Sequence, residues 1–275
     1  MRMPLSGDIT ERLVRAVRQR NQISIARWRR PDTLEQAYAV QRFTLQQLGL
    51  TPVGWKVGST NRSAQKRRGI EEPVFGRLFE SLIFQEGDVV PVRQFIDPWL
   101  EVEFAFSIGS DLQSQSGGLN RDQVIDAIEA VILSVEIADG RLENWRSCDG
   151  LSCVADNVAH GAAILGSKVD ASWICRLAAV ETRLLIDSVL VATGNGAAVL
   201  GDPLNSVVWL ANALTSHGYF LRTGDIVLSG TTTGITRLAE GQSITARFAG
   251  LGELNIDIDG SGQSPVRSTG AETIT

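Results

Sequence analysis

The chain has 275 residues, of which 43% are hydrophobic, which is enough to bury the core of one large domain with an extension. Its 26 basic and 31 acidic residues leave a net charge of −5, which argues against nucleic acid as a partner. No apolar run approaches the ~20 residues of a membrane span, and the amino-terminal stretch lacks a secretory signal. These features predict a cytoplasmic protein without a membrane partner. The three cysteines contain no Cys-x-x-Cys pair, which predicts reduced, buried thiols.

Two amphipathic helices are predicted in the first fifty residues. Asp8 with Glu11, and Thr33 with Gln36, have the spacing of a capping box, and apolar residues follow both pairs at helical intervals. The second helix should stop at Gly49, which can adopt the left-handed conformation that ends helices. This helical extension (1–50) is expected to pack on the main body or on a neighbouring subunit.

The main body is predicted to start with a short strand that contains Lys56 between two glycines. Trp55 and Val57 could shield the Lys56 ammonium from water, which would lower its pKa and suit it to proton transfer or carbonyl polarisation. The alternative is a solvent-exposed lysine on a strand, which is the more common environment of this residue type.

A second strand carries two acids on one face. Apolar residues alternate from 102 to 108, which predicts a half-buried strand with Glu101 and Glu103 on the opposite face. Their Cα atoms would lie roughly 7 Å apart, where two like charges repel by about 2 kcal/mol at an effective dielectric near 20. A cation is therefore expected between them. A solvated outer face is the alternative for so short a pattern.

A third acid is predicted on a following strand. Asn120 should cap a helix whose apolar face extends to Ile132, and the chain then runs into a strand over 133–138. Period-2 alternation places Glu136 on the face that carries only small residues, as it does for Glu103. The three carboxylates, which occur together with a lysine, form an all-oxygen donor set, and such a set favours Mg²⁺ or Mn²⁺ over zinc.

Two further segments are candidates for lining the same site. The polar insertion 153–161 contains Asp156 and His160, although Asp156 could equally be a turn residue. A buried strand from Asp225 ends in hydroxyls and glycines that could hold a carboxylate through side chains and backbone N–H groups. The hydroxyl residues proposed for this role are Ser229, Thr231 and Thr232.

The carboxyl-terminal half otherwise contains a hairpin, a helix and a second hairpin. Strands are predicted at 180–186 and 189–193, and a helix begins at Asp202-Pro203 and ends at Gly218. The final hairpin occupies 244–258. The tail 261–275 is predicted to be disordered.

Six segments, in matching order and spacing over nearly the whole chain, resemble the 2-keto-4-pentenoate hydratase branch of the fumarylacetoacetate hydrolase superfamily. They are 54–60, 101–103, 135–137, 154–157, 200–205 and 221–230. The resemblance implies an α+β fold, a mixed β-roll like the fumarylacetoacetate hydrolase C-terminal domain with a helical amino-terminal section, assembled as a homo-oligomer. The catalytic β-roll domain would occupy 51–260.

The resemblance also implies a site and a substrate class. A divalent metal, usually Mg²⁺, would be held by Glu101, Glu103 and Glu136, with Lys56 near a 2-oxo acid substrate from aromatic meta-cleavage. Lys56 and Asp156 are the predicted catalytic residues, and Ser229, Thr231, Thr232 and His160 the predicted substrate-binding residues. The family often has a hydroxyl residue after Ala-Asp-Asn, where this chain continues with 158–160, so His160 either contacts substrate or is buried.

Four functions follow as alternatives. The first is a hydro-lyase reaction, hydration of a 2-hydroxy-2,4-dienoate to a 4-hydroxy-2-oxo acid. The second is decarboxylation of a 4-oxalocrotonate-like diacid, which a basic side chain near the pocket, such as Arg62 or Arg77, would favour. The third is carbon–carbon hydrolysis of an acylpyruvate, which the scarcity of histidine disfavours. The last is a metal-free subunit that scaffolds a pathway decarboxylase or hydratase.

Overall fold

The computed structural model describes residues 5–113 and 117–259. Residues 1–4, 114–116 and 260–275 lie outside this description, and they include the tail predicted to be disordered. The α-helices, numbered in chain order, are Leu5–Gln19 (α1), Leu34–Leu48 (α2), Arg62–Arg68 (α3), Arg121–Ala127 (α4), Gly150–Ala155 (α5) and Pro203–Ser216 (α6). In the described ranges no helix has both the length and the apolar character needed to cross a bilayer.

The strands form two sheets. They are Pro52–Gly58 (β1), Val74–Phe79 (β2), Ile83–Gln85 (β3), Val89–Val90 (β4), Trp99–Ile108 (β5), Ile128–Ala138 (β6), His160–Val169 (β7), Glu181–Ile186 (β8), Val189–Asn195 (β9), Ile226–Leu228 (β10), Ile235–Arg237 (β11), Ser243–Phe248 (β12) and Gly252–Ile258 (β13). The mixture of helices with mixed, curled sheets confirms the predicted α+β class.

The two predicted amino-terminal helices are confirmed, and both pack on the main body of their own chain. The Thr33 hydroxyl accepts the Gln36 N–H at the start of α2, and Gly49 ends the helix with φ of 68°. The buried Gln41 side chain donates to the carbonyl oxygens of Phe75 and Val154 at 3.1 and 2.9 Å. Helix α1 begins before the predicted cap at Asp8.

The larger sheet has the strand order β2-β1-β10-β5-β6-β7-β3, with β11 also paired to β5. Strands β5 and β6 are long antiparallel neighbours at its centre, and their register places Glu101 directly opposite Glu136. Strand β1 joins the same sheet through β10, with Lys56 opposite Leu228. The sheet thus brings three strands with charged residues onto one face.

The smaller sheet has the order β4-β13-β12-β8-β9 and packs against the larger one. The rings of Phe104 and Phe248 meet between the sheets at a centroid distance of 5.3 Å. Strand β9 forms an edge of the smaller sheet, and its residues Val189, Leu190 and Val191 are exposed. The hairpins β8–β9 and β12–β13 and the helix α6 confirm the predictions for this half of the chain.

Three local predictions are wrong. The helix capped by Asn120 ends at Ala127, because the β-branched residues from Ile128 onward pair with β5 as strand β6. The polar insertion 153–161, whose composition predicts a loop, instead contains the end of α5, a 3₁₀ turn and the start of β7. Cys148 and Cys153 are free and buried as expected, whereas Cys175 is exposed.

Candidate metal centre

The three predicted metal ligands come together at the centre of the larger sheet. Glu101 and Glu103 project from the same face of β5, and Glu136 projects from the paired position on β6. One carboxylate oxygen from each side chain lies within 4.8 Å of the other two. Glu103 and Glu136 are buried, and Glu101 is half-buried. The alternative of a solvated outer face is therefore wrong for this strand.

The carboxylates retain donor atoms that no protein group satisfies. Among the described residues, Glu103 Oε1 and Glu136 Oε2 are buried without a hydrogen-bond partner. Burial raises the pKa of Glu101 to about 7, with Glu136 adding to the shift and Lys56 opposing it. Burial together with the neighbouring carboxylates also raises the pKa of Glu103 well above its ordinary range. Clustered anionic oxygens with unsatisfied lone pairs fit a divalent cation.

Lys56 is the buried cation of this cluster. Its Nζ lies 3.1 Å from Glu136 Oε1 and donates to the Val158 carbonyl oxygen at 3.0 Å. Burial acts to lower the Lys56 pKa, but the charges of Glu136, Glu101 and Glu103 act against it, and the pKa is raised overall. The predicted lowering of the Lys56 pKa is therefore wrong for the metal-free cluster, because the acids outweigh desolvation.

His160 supports the cluster from behind Glu136. Its Nδ1 lies 2.9 Å from Glu136 Oε1, its side chain is buried, and its Nε2 has no partner among the described residues. Burial lowers the His160 pKa, which favours the neutral imidazole, and the tautomer with its proton on Nδ1 is the one that donates to the carboxylate. Although burial raises the Glu136 pKa, Lys56 and His160 together hold it below its ordinary value.

A strained turn supplies the carbonyl that Lys56 contacts. Asn157, Val158 and Ala159 all have positive φ, between 51° and 54°, which is unusual for non-glycine residues and most of all for a β-branched one. Close packing against two glycines holds the turn. A Cβ at Gly58 would lie 2.5 Å from Val158 Cγ1, and one at Gly76 would lie 2.7 Å from the Asn157 oxygen. No sequence pattern indicated this turn.

Asp156 does not reach the carboxylate cluster. Arg141 donates to it through Nε at 2.6 Å and through its backbone N–H at 2.7 Å, and both side chains are buried. Arg141 Nη1 also donates to the His160 carbonyl oxygen at 2.8 Å. The Asp156–Arg141 ion pair therefore stabilises the position of the segment that contains Val158 and His160.

Of the three predicted hydroxyl residues, only Thr231 lines the cavity above the cluster. Ser229 is buried, and its hydroxyl lacks a partner among the described residues. The Thr232 hydroxyl donates to the Val102 carbonyl oxygen at 2.8 Å. Between them, the Gly230 N–H donates to Glu103 Oε2 at 2.7 Å, so this segment holds a metal-ligand candidate in place.

A cavity of about 570 Å³ opens above the carboxylate cluster. Lys56, Glu101 and Glu103 line it, and so does Trp99. Its other charged lining residues are the arginines Arg67, Arg68 and Arg146. The sequence patterns identified neither Trp99 nor Arg146 as a site residue.

The two arginines predicted to favour a diacid lie elsewhere. Arg62 is not among the residues that line the cavity. Arg77 lies over the Trp55 ring at 3.3 Å from its centroid and lines a different pocket beside α2.

The sequence model of the family described as "Fumarylacetoacetate (FAA) hydrolase C-terminal" matches residues 51–259. The 2-keto-4-pentenoate hydratase of Paraburkholderia xenovorans (strain LB400) is 32% identical over 233 residues, which cover 83% of this chain and 86% of the relative. The 2-oxo-hept-4-ene-1,7-dioate hydratase of Escherichia coli is 32% identical over 262 residues, covering 90% and 95%.

Among solved structures, the 4-oxalocrotonate decarboxylase of Pseudomonas putida G7, complexed with magnesium and adipate, superposes with a TM-score of 0.83. It is 29% identical, and the match covers 94% of this chain and all of that one. The fold, the clustered carboxylates and these similarities lead to one conclusion. The chain belongs to the fumarylacetoacetate hydrolase C-terminal family.

Proposed function

We propose that the protein is a metal-dependent hydratase that adds water to a 2-hydroxy-2,4-dienoate to give a 4-hydroxy-2-oxo acid. The observation that carries this proposal is the carboxylate cluster with buried Lys56 at the floor of a cavity large enough for a small acid. The two hydratases similar to this chain support the reaction class. Mg²⁺ or Mn²⁺ is the proposed ion, because all three candidate ligands are carboxylates.

Glu101, Glu103 and Glu136 would hold the metal. When bound, a divalent cation would supply Lewis-acid stabilisation of the negative charge that develops on the substrate's 2-oxygen. Glu103 is oriented by the Gly230 N–H, and Glu136 is oriented by Lys56 and His160. The protein thus holds two of the three candidate metal-ligand carboxylates in position without a bound ligand.

Lys56 would carry the proton chemistry. In the metal-free cluster, the raised pKa of Lys56 keeps its side chain as an ammonium group. From its place beside the cluster, its N–H groups would stabilise charge on the 2-oxygen and deliver a proton to the substrate. Transfer of a proton to C5, with loss of the 2-hydroxyl proton, converts the dienol to a 2-oxo-3-enoate, in which conjugation makes C4 electrophilic. Water then adds at C4 and a proton adds at C3.

Hydrolysis of an acylpyruvate is less well supported. A His160–Glu136 pair exists, as such hydrolases use, but His160 does not line the cavity. Decarboxylation of a diacid remains the second candidate, because a decarboxylase shares this fold and three arginines line the cavity.

Product analysis tests the proposal. Purified protein with Mg²⁺ is offered 2-hydroxypenta-2,4-dienoate and, separately, 2-oxo-3-hexenedioate, with Glu103→Ala as the matched inactive control. Loss of the dienoate to a 4-hydroxy-2-oxo acid without CO₂ is the expected result. Release of CO₂ from the diacid, without hydration of the dienoate, would assign decarboxylation instead.

A homo-oligomer is part of the same proposal. Strand β9 leaves Val189, Leu190 and Val191 exposed on the edge of the smaller sheet, with relative exposures of 62%, 51% and 44%. An exposed apolar edge strand is a template for pairing with a second copy of the chain.

A further inference from the structure

We propose that Arg68 forms a subsite for a second carboxylate, so that the preferred substrate is a 2-oxo or 2-hydroxydienoic acid with a terminal carboxylate. This inference rests on the proposed function, because it assigns the substrate class of the same cavity. The cavity lining carries positive charge that no acid of the described chain balances. Among the described residues, four cationic side chains belong to residues that line the cavity, and only that of Lys56 is ion-paired with a described acid.

Arg68 is held in place without a carboxylate partner. It lies at the carboxyl end of α3, and its Nη1 donates to the Cys148 carbonyl oxygen at 3.1 Å and contacts Cys148 Sγ at 3.2 Å. The same nitrogen lies 3.5 Å from the Trp145 carbonyl oxygen. Through these contacts the loop after β6 fixes the guanidinium group at the cavity wall.

The remaining donors of Arg68 are available for a ligand. A guanidinium group has five N–H donors, and only those on Nη1 have partners in the part of the chain that the structure describes. No described acid lies within 4.0 Å of Arg68. A planar group with donors on Nε and Nη2 matches the two oxygens of a carboxylate.

Arg146 adds a second unpaired charge to the same wall. Its guanidinium lies 4.0 Å from the centroid of the Trp99 ring, and both residues line the cavity with Arg68. Stacking on the indole orients the group and leaves its N–H donors at the ring edges. The carboxylate cluster would hold the metal at the reacting end of a 2-oxo acid, so these arginines are left to recognise its other end.

Matched pairs of unreactive acids test the subsite. The acids 2-oxoadipate and 2-oxohexanoate have the same head and chain length and differ only in the terminal carboxylate, and 2-oxopimelate and 2-oxoheptanoate form a longer pair. Their dissociation constants are measured calorimetrically with the Mg²⁺-loaded protein. The diacid of at least one pair is expected to bind about 10-fold more tightly, because a charged hydrogen bond is gained.

Variants separate recognition from support of the loop. The diacid preference is the ratio of the monoacid dissociation constant to the diacid dissociation constant. Arg68→Gln should reduce this ratio to less than about 2 while the monoacid binds as before, and Arg68→Lys should restore part of the ratio. Arg62→Gln, on the same helix outside the cavity, is the control. Arg146→Gln removes a charge without removing any hydrogen bond of the described chain, and is expected to reduce the preference about 3-fold.

Several outcomes would overturn the proposal. One is equal affinity for the diacid and the monoacid in both pairs, and another is no binding of any of these acids. A third is that Arg68→Gln weakens the binding of both acids equally, which would show that Arg68 has a purely structural role. The result is independent of turnover. If the protein binds diacids more tightly but hydrates no dienoate, the Arg68 subsite stands and the hydratase proposal is rejected. If it hydrates monoacid dienoates but does not bind diacids more tightly, the hydratase proposal stands and the subsite is rejected.

Discussion

Glu103 is the residue on which the candidate metal centre depends most directly. One carboxylate oxygen accepts the Gly230 N–H, and the other is buried without a partner in the described chain. Glu103→Gln is expected to weaken Mn²⁺ binding by more than about 100-fold, because it removes a charged donor. Electron paramagnetic resonance of free Mn²⁺ measures this binding, with Glu129→Gln, at an exposed position near the start of β6, as the control. Unchanged binding in Glu103→Gln would reject the ligand assignment.

Glu101 gives the metal-free protein a distinctive pH dependence. Burial raises its folded-state pKa from 4.5 to about 7, so the folded state holds this proton more tightly than the unfolded state. The contribution of Glu101 to stability is therefore greatest below pH 4.5 and is lost as the pH rises towards 7. In EDTA, the Tm of the wild type should fall more between pH 5 and 8 than that of Glu101→Gln, by a few degrees. An equal fall in Tm with pH in the wild type and in Glu101→Gln would contradict this assignment of the raised pKa to Glu101.

At the scale of elements, the turn 157–159 and strand β1 are coupled through one contact. A Cβ at Gly58 would collide with Val158 Cγ1, so Gly58→Ala should displace the Val158 carbonyl from Lys56. We expect a loss of about 1–3 kcal/mol in unfolding free energy, as for other overpacked sites. The measurement is denaturant unfolding, accompanied by assay of turnover.

The double variant Gly58→Ala/Val158→Ala is the internal control for this contact. It removes the colliding methyl groups while the backbone carbonyl remains. Stability and activity should recover in part, which gives a favourable coupling energy in the double-mutant cycle. Strict additivity of the two single variants would show that the contact does not link the turn to the strand.

The elements that were predicted correctly are those whose signal is local. Strand β5 follows from its period-2 alternation, and α2 from its cap at Thr33 and its stop at Gly49. The family was also identified correctly from six short segments. In contrast, the predicted helix through Ile132 was wrong, because strand pairing with β5 overrides helical periodicity after Ala127.

The site was only partly predictable, for a physical reason. The spacing of acids along a strand indicates which face they share, so Glu101 and Glu103 could be placed together from the sequence. That Glu136 joins them was implied by the family resemblance. Arg146 enters the cavity from a distant loop, and no periodicity connects it with β5. The raised pKa of Lys56 depends on three acids from two other strands, which are set by tertiary structure alone.

For the whole molecule, the exposed edge strand β9 makes assembly testable. Leu190→Lys places a charge in the middle of the apolar edge, and charged residues on edge strands prevent pairing between chains. The variant should sediment as a smaller species than the wild type in analytical ultracentrifugation. Lys168→Ala, which changes an exposed residue of the other sheet, should sediment as the wild type does. An unchanged assembly in Leu190→Lys would place the interface on another surface.

The turn at Val158 also has a consequence for how this enzyme could diversify. The contact to Lys56 comes from the main-chain oxygen of Val158, and the same residue also lines the cavity. The two roles of this position are therefore separable, and the residue type can change the shape of the cavity while the lysine keeps its partner. Asparagine and glycine accept the left-handed conformation with less strain than valine does. Position 158 is thus a site where substrate range can be redesigned with the proton-transfer group left intact.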